Sequence, residues 1–523
     1  MTLRNIVLIS VDAMGARLVG APTPLHASPT PVMDRMAAAG VTFTRAFAVA
    51  YPTQFAMPGP IGMRLPLDEG GYHLGLARSD GETLAERLKR RGYRTAGVTT
   101  DFYTSRCYGY ARGFDDYVEF QDFAWHANGV ARNDVDHLAA RVRAGTYPED
   151  VATRALAEKL GAFYEGCAHY ARDRSNRLAA GARPWPQIDN WRFDEIAASM
   201  EEALGRWRQD PCGHARAILA GTPFIGNALA GLRIAPHYPD AEAPFADARE
   251  LVRTMSCSDE PFFLWVHLTD VHGNITPDLA GMRPTSDLDR RFRANLDEVT
   301  PFGRRDQDWP GQAERADPRT LAHTDRAIGD FLAFLGSEGL CERTVVALTA
   351  DHGTHAPERW FYGAHHGVSD HLNFWEELLH VPLVVTGPGI EPGAVHELVS
   401  TLDVGSILEA AADRDRLGPE AASQALARRF GRDHVIAEHA LPGTCLPQFK
   451  PIKICVRDER RKIVYLDTPG RDWGESHVIH AFDLVADPHE TRNLHAICER
   501  DPGFRRLIDI ARDRAAHLRE NRR

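Results

Sequence analysis

Three short apolar stretches of this 523-residue chain each run into residues that can hold a divalent cation or move a proton. Asn5-Ile-Val-Leu-Ile-Ser-Val11 ends in Asp12. Phe262-Phe-Leu-Trp-Val266 leads into His267, with Asp270 and His272 close behind. Thr344-Val-Val-Ala-Leu-Thr-Ala350 ends in Asp351 and His352. Carboxylate oxygens and imidazole nitrogens are hard and borderline ligands, so the set suits a metal centre. A single Asp after a strand is ordinarily a cap or turn residue. The set gains force if the three strands are neighbours, because open α/β sheets bind ligands outside the carboxyl ends of their strands.

The hydrophobic pattern supplies the elements that such a convergence requires. β-branched runs alternate with amphipathic stretches: a helix over about 30–39 closed by Gly40, a strand from Val41, a helix over about 82–91 before Gly92, and a strand at Thr95–Thr99. Helices near 325–335 and 403–412 frame further strands at 344–350 and 381–385. This βαβ rhythm predicts a doubly wound, mostly parallel sheet flanked by helices. From about 120 to 250 the chain is rich in Ala, Arg and Glu and lacks apolar β-runs, which predicts a helical insertion. Strands at Ile452–Arg457 and Lys462–Leu466 and a basic helix from about Phe504 predict a small C-terminal α+β subdomain. The expected division is therefore an α/β catalytic domain over 1–430, with the insertion at about 120–250, and a subdomain over 431–523.

Composition narrows the function classes. Hydrophobic residues make up 43% and charged residues 25%, within the globular range. With 61 Lys and Arg against 72 Asp and Glu, the net charge of −11 works against broad attraction to nucleic acid. The apolar runs fall far short of the roughly 20 residues that span a bilayer, and no basic segment followed by an apolar core opens the chain. A cytoplasmic protein without nucleic-acid or membrane partners is expected, with homo-oligomerisation left open. The eight cysteines form no CxxC pair, so reduced thiols are expected.

Six ordered motifs resemble the sulfatase branch of the alkaline phosphatase superfamily. They are Asn5 to Asp12; Thr83-Leu-Ala-Glu-Arg-Leu-Lys-Arg-Arg-Gly92-Tyr-Arg-Thr-Ala-Gly97; Phe262 to His272; Asp325-Arg-Ala-Ile-Gly-Asp-Phe-Leu with Thr344 through Asp351-His352-Gly353; Glu376-Glu-Leu-Leu-His-Val-Pro-Leu383; and Ala481-Phe-Asp483 through Asn493-Leu494. Together they span most of the chain outside the insertion. The resemblance implies an alkaline-phosphatase-like fold and a metal-dependent esterase, with Asp12, Asp351 and His352 as metal ligands.

The departure from the family is informative. Sulfatases carry Cys or Ser in a Cys/Ser-x-Pro-x-Arg signature, converted to formylglycine. Counting back from Arg64-Leu-Pro66, Thr53 falls on the nucleophile position and Met57 on that of the arginine, so the resemblance offers no formylglycine there. A threonine hydroxyl bound to a divalent cation can attack phosphorus as an alkoxide. Asp12, Thr53, Asp351 and His352 are similar to the metal site of the superfamily's phosphoethanolamine and glycerophosphate transferases. His352 stands where sulfatases have Asn, which favours Zn2+ or Mn2+ over Ca2+. A second ion would need His four residues after Asp270, where Asn274 stands, so one ion is expected. His272 and His371 are the expected proton donors to a leaving group, and Arg64, His267 and His366, with His365, the weaker expected substrate contacts.

The expectation is a hydrolase or transferase that cleaves a small-molecule phosphate, phosphodiester or phosphonate ester through Thr53. Two alternatives stand: a sulfuric-ester hydrolase without formylglycine, and a non-catalytic anion-binding member. In the latter an alternative alignment places Ala56-Met-Pro-Gly at the active-site turn and supplies no hydroxyl.

Overall fold

The computed structural model describes residues 3–19, 28–68, 75–76, 80–120, 130–145, 147–179, 193–224, 239–273, 318–354, 374–413, 420–440, 451–468 and 474–520. Its strands, in chain order, are β1 (Asn5–Val11), β2 (Val41–Phe43), β3 (Ala46–Phe47), β4 (Arg94–Thr99), β5 (Asp116–Glu119), β6 (Phe262–Leu268), β7 (Thr344–Ala350), β8 (His380–Val381), β9 (Leu383–Thr386), β10 (Gly393–Val395), β11 (Val399–Ser400), β12 (Val435–Ala440), β13 (Ile452–Arg457), β14 (Arg461–Asp467) and β15 (His477–Asp483).

Eight of them form one sheet in the order β10-β2-β9-β7-β1-β6-β4-β5. β1 lies at its centre and pairs in parallel with both β6 and β7. Every residue of these three strands is buried, as a sheet covered on both faces demands, and this is why they read as unbroken apolar runs. β9 is the exception to parallel order, running antiparallel to β2 and β7.

Helices cover both faces. Pro31–Ala39, Glu242–Met255 and Pro318–Ser337 pack together on one; Leu84–Arg90, Val404–Ala412 and Ala422–Phe430 lie on the other. Thr83 starts the helix Leu84–Arg90 with a full capping box: its hydroxyl accepts the Glu86 N–H, while the Glu86 carboxylate accepts the Thr83 N–H. The sheet is therefore doubly wound, as the pattern predicts.

The segment expected as an insertion holds its own apolar core, in which Leu156, Leu160, Phe163 and Tyr164 of the helix Glu149–Ala179 meet Met200, Ile218 and Phe224. The expected boundary near 250 moves, because Glu242–Met255 packs on β4 and β6 with Phe245, Ala248 and Val252 in the main core. β12 to β15 make a four-stranded antiparallel sheet. One face contributes Val435, Ala437, Cys455, Val464 and Phe482 to the main core; the other packs on the helix Pro502–Glu520. Among the described residues no helix is long and apolar enough to cross a membrane, and the cysteines are free.

Candidate metal centre and nucleophile

Because β6, β1 and β7 are adjacent and parallel, their C-terminal ends open on one edge. In register, Ser10 of β1 lies beside His267 on one side and Thr349 on the other, so Asp12 and Asp351 leave neighbouring strands at about the same height. One ligand atom from each of Asp12, His267 and Asp351 falls within 4.8 Å of the others, all three residues being buried.

The backbone around these residues is built to hold them. Ala13 adopts a left-handed conformation (φ 62°), uncommon for a residue with a side chain. Its N–H donates to Asp351 Oδ1 at 3.1 Å, and the His352 N–H donates to the same oxygen at 2.7 Å. Gly353 is a steric requirement: a Cβ there would lie 2.0 Å from the Glu377 carbonyl oxygen, while its N–H donates to the Leu378 carbonyl at 2.8 Å. Behind His267, Ser10 Oγ lies 2.9 Å from Nδ1 and accepts the Trp265 indole N–H at 2.9 Å. An Nδ1–H donated to Ser10 leaves the Nε2 lone pair for a cation. Burial, reinforced by His352 and His272 and opposed by Asp351, drops His267 to about 4, so its ring stays neutral.

Thr53 enters from outside the sheet as the first residue of the short helix Thr53–Ala56 and is 4% exposed. Its Oγ1 lies 3.4 Å from both Asp12 carboxylate oxygens and 3.2 Å from His352 Nε2. His352 Nε2 in turn lies 3.5 Å from Asp12 and 3.4 Å from Asp351, and the Tyr51 ring meets the His352 ring edge-on at 4.7 Å. The structure thus gathers Asp12, Thr53, Asp351 and His352 at one point. A cation fits this chemistry: His267 Nε2 and Asp351 Oδ2 are buried without hydrogen-bond partners, an arrangement costly unless something electropositive meets the carboxylate and the nitrogen lone pair.

His267, expected as a substrate contact, falls in the ligand cluster, in register with Ser10 of the strand that ends in Asp12. His272 is exposed on the short helix Asp270–Gly273, near enough for its charge to act on both His267 and Asp101. The Arg64 guanidinium packs against Gly81, occupying the space that a Cβ there would need. Met57 is fully buried in the apolar core. Asp270 accepts the Ala241 N–H at 2.8 Å and clasps that loop; burial pushes it up to about 8. His365, His366 and His371 lie outside the described residues.

Asp101 is the residue that the sequence reading passed over. It stands just past Thr100, beyond the end of β4, with burial lifting its carboxyl to about 7. Thr95 to Thr100 running into Asp101 repeats the strand-then-acid pattern of Asp12 and Asp351, which was a usable signal.

Comparisons with known proteins bear on the family and the fold. The choline-sulfatase of Rhizobium meliloti (strain 1021) is 27% identical over 215 residues, 39% of this chain and 38% of that protein, so the match spans well under half of the relative's length. Two solved structures share the fold along almost the whole chain. A 2-O GAG sulfatase aligns with TM-score 0.51 and 15% identity, covering 99% of this chain and 93% of its own. The lipoteichoic acid synthase LtaP from Listeria monocytogenes aligns with TM-score 0.51 and 12% identity, covering 99% and 92%. The sulfatase family model matches residues 4–413, and the chain belongs to the sulfatase family.

Proposed function

We propose that the protein is a metal-dependent enzyme that cleaves a phosphate, phosphodiester or phosphonate ester through Thr53. The observation that carries the reading is the position of Thr53 Oγ1, within 3.4 Å of Asp12 and 3.2 Å of His352. Asp12, Asp351 and His267, with His352 and Thr53 beside them, would hold a divalent cation, and the two imidazoles favour Zn2+ or Mn2+. Such an ion supplies Lewis acidity, lowering the pKa of a hydroxyl and offsetting charge on substrate oxygens.

The chain's own groups prepare the rest. The helix Thr53–Ala56 presents the hydroxyl in a fixed, nearly dry position, which removes much of the entropic cost of attack. Asp12 and His352 are the acceptors within reach of the Thr53 proton. Attack transfers the oxyanion group to Thr53, and water or an acceptor alcohol then releases it, giving hydrolysis or transfer.

A second reading, hydrolysis of a sulfuric ester, is favoured by the sulfatase names of the relatives. Against it stands a threonine in place of the Cys or Ser that formylglycine formation needs. Turnover of aryl phosphate, phosphodiester, phosphonate and sulfate esters by the Mn2+- or Zn2+-loaded protein separates the two. Faster turnover of the phosphorus esters is expected, with Thr53→Ala lowering kcat/KM by about 10³-fold or more. Preference for sulfate esters would overturn the phosphoester reading, and full activity in Thr53→Ala would overturn the nucleophile.

A further inference from the structure

β4 ends beside β6, with Thr99 opposite His267 in the ladder. Thr100 Oγ1 donates to the His267 carbonyl at 3.0 Å and accepts from Thr269 Oγ1 at 3.0 Å, tying the two strand ends together. Asp101 comes next and is 6% exposed. Its Oδ1 accepts the Tyr103 N–H at 2.6 Å, its carbonyl accepts the Thr104 hydroxyl at 2.8 Å, and its N–H donates to Thr99 Oγ1 at 3.3 Å. The turn Phe102–Thr104 then packs against the helix Thr53–Ala56. Asp101 is therefore fixed between the strand end that carries His267 and the helix that carries Thr53. The Tyr103 N–H holds Oδ1, and the Thr104 N–H also draws on the carboxylate.

We propose that Asp101 is the catalytic acid of this centre, its Oδ2 protonating the leaving oxygen as the ester bond breaks. The inference rests on the reading of the site as an ester-cleaving centre, and it holds for phosphorus and sulfur esters alike. In the first step the Thr53 oxygen bonds to the central atom and the bond to the leaving oxygen breaks, its electron pair staying with that oxygen. The Asp101 O–H proton passes to it, and the Thr53 proton moves to Asp12 or His352. In the second step water attacks the Thr53 ester, its proton returns to the Asp101 carboxylate, and Thr53 recovers its own.

The electrostatics suit the role. Burial raises Asp101 most; the Tyr103 N–H, His272 and the Thr104 N–H lower it, Asp351 raises it, and the result is about 7. An acid with a pKa close to the working pH combines the right protonation state with useful driving force. Tyr117 of β5 also feels the Asp101 charge, so His272, Asp351 and Tyr117 are the titratable neighbours identified around it.

The test uses metal-loaded Asp101→Asn, whose side chain can still accept the Tyr103 N–H, and whichever ester class the wild type turns over. Within that class the leaving group runs from 4-nitrophenol through phenol to an alkyl alcohol. A catalytic acid matters most for the poorest leaving group: kcat/KM is expected to fall about 10²- to 10⁴-fold on the alkyl ester and only a few-fold on the 4-nitrophenyl ester. The alkaline limb in the wild-type profile on the alkyl ester is expected to vanish. An equal loss across the series, or an unchanged alkaline limb, overturns the assignment; so does a fall in Tm that accounts for the loss. A wild type that prefers sulfate esters defeats the phosphoester reading while leaving this test intact, and no turnover of any ester overturns both.

Discussion

Lys462 is fully buried where the C-terminal sheet meets the catalytic domain, between the carboxylates of Glu490 and Glu376. Its Nζ also donates to the Phe374 carbonyl at 2.7 Å, and Arg457 grips Glu376 through Nε and Nη2 at 2.9–3.1 Å. Burial works against both charges, yet Lys462 and Arg457 hold Glu376 down to about 2, and the two carboxylates raise Lys462. At the strand edge Asp12 and Asp351 are just as deeply buried, but they meet imidazoles, a hydroxyl and backbone N–H groups, and the His267 ring is neutral. Two fixed cations answer two carboxylates in the first cluster. In the second, the balancing charge is left for an ion to bring. A buried cluster that closes on itself is structural, whereas one that needs an outside charge is a receptor.

The largest effect expected from breaking this contrast is at the receptor. Asp12→Asn should lose bound metal by elemental analysis and lower kcat/KM by about 10³-fold or more, without lowering the melting temperature of the metal-free protein. A variant with metal content and activity intact would erase the distinction. Next, Lys462→Met should destabilise the fold by about 3–5 kcal/mol, read from denaturant midpoints, because it removes from the interior a cation that answers Glu490 and, with Arg457, Glu376. Its metal content per folded molecule should match the wild type.

Chelation should act only on the receptor. At free metal 100-fold above Kd, loading stabilises by about 2.7 kcal/mol, and the increment should be the same in Lys462→Met as in the wild type. The smallest effect concerns acid. Glu376 lies below its ordinary value of 4.5, so its contribution is fully present above about pH 4.5 and is lost as pH falls toward about 2. Glu376→Gln should remove that dependence and flatten the wild-type loss of stability between those limits, measured by thermal melts at stepped pH.

Much of this arrangement was legible in the sequence, and the gaps have physical causes. β1, β6 and β7 could be read because strands buried on both faces are near-continuous apolar runs, and here each leads into residues able to bind a cation. His267 was harder, since a histidine inside an apolar strand takes its meaning from the register that sets it beside Ser10. Asp101 was missed although its pattern matched, because nothing local shows that β4 is the strand next to β6. The antiparallel direction of β9 was also hidden, as Val381 to Val385 reads alike in either direction. The compensation of Lys462 by residues 86 and 28 positions away lies beyond any local pattern.

The Glu438 N–H donates to the Val49 carbonyl at 2.8 Å, and Phe55 sits in an apolar cluster with Ile452, Ile454 and Leu507. The stretch that carries the nucleophile, near the start of the chain, is thus shelved on strands made some 400 residues later. On the ribosome, the segment around Thr53 must wait without its support until β12 to β15 have emerged. Premature termination before Val435 should therefore yield no partly active fragment, but a chain exposing the apolar Phe55 surface to chaperones and proteases.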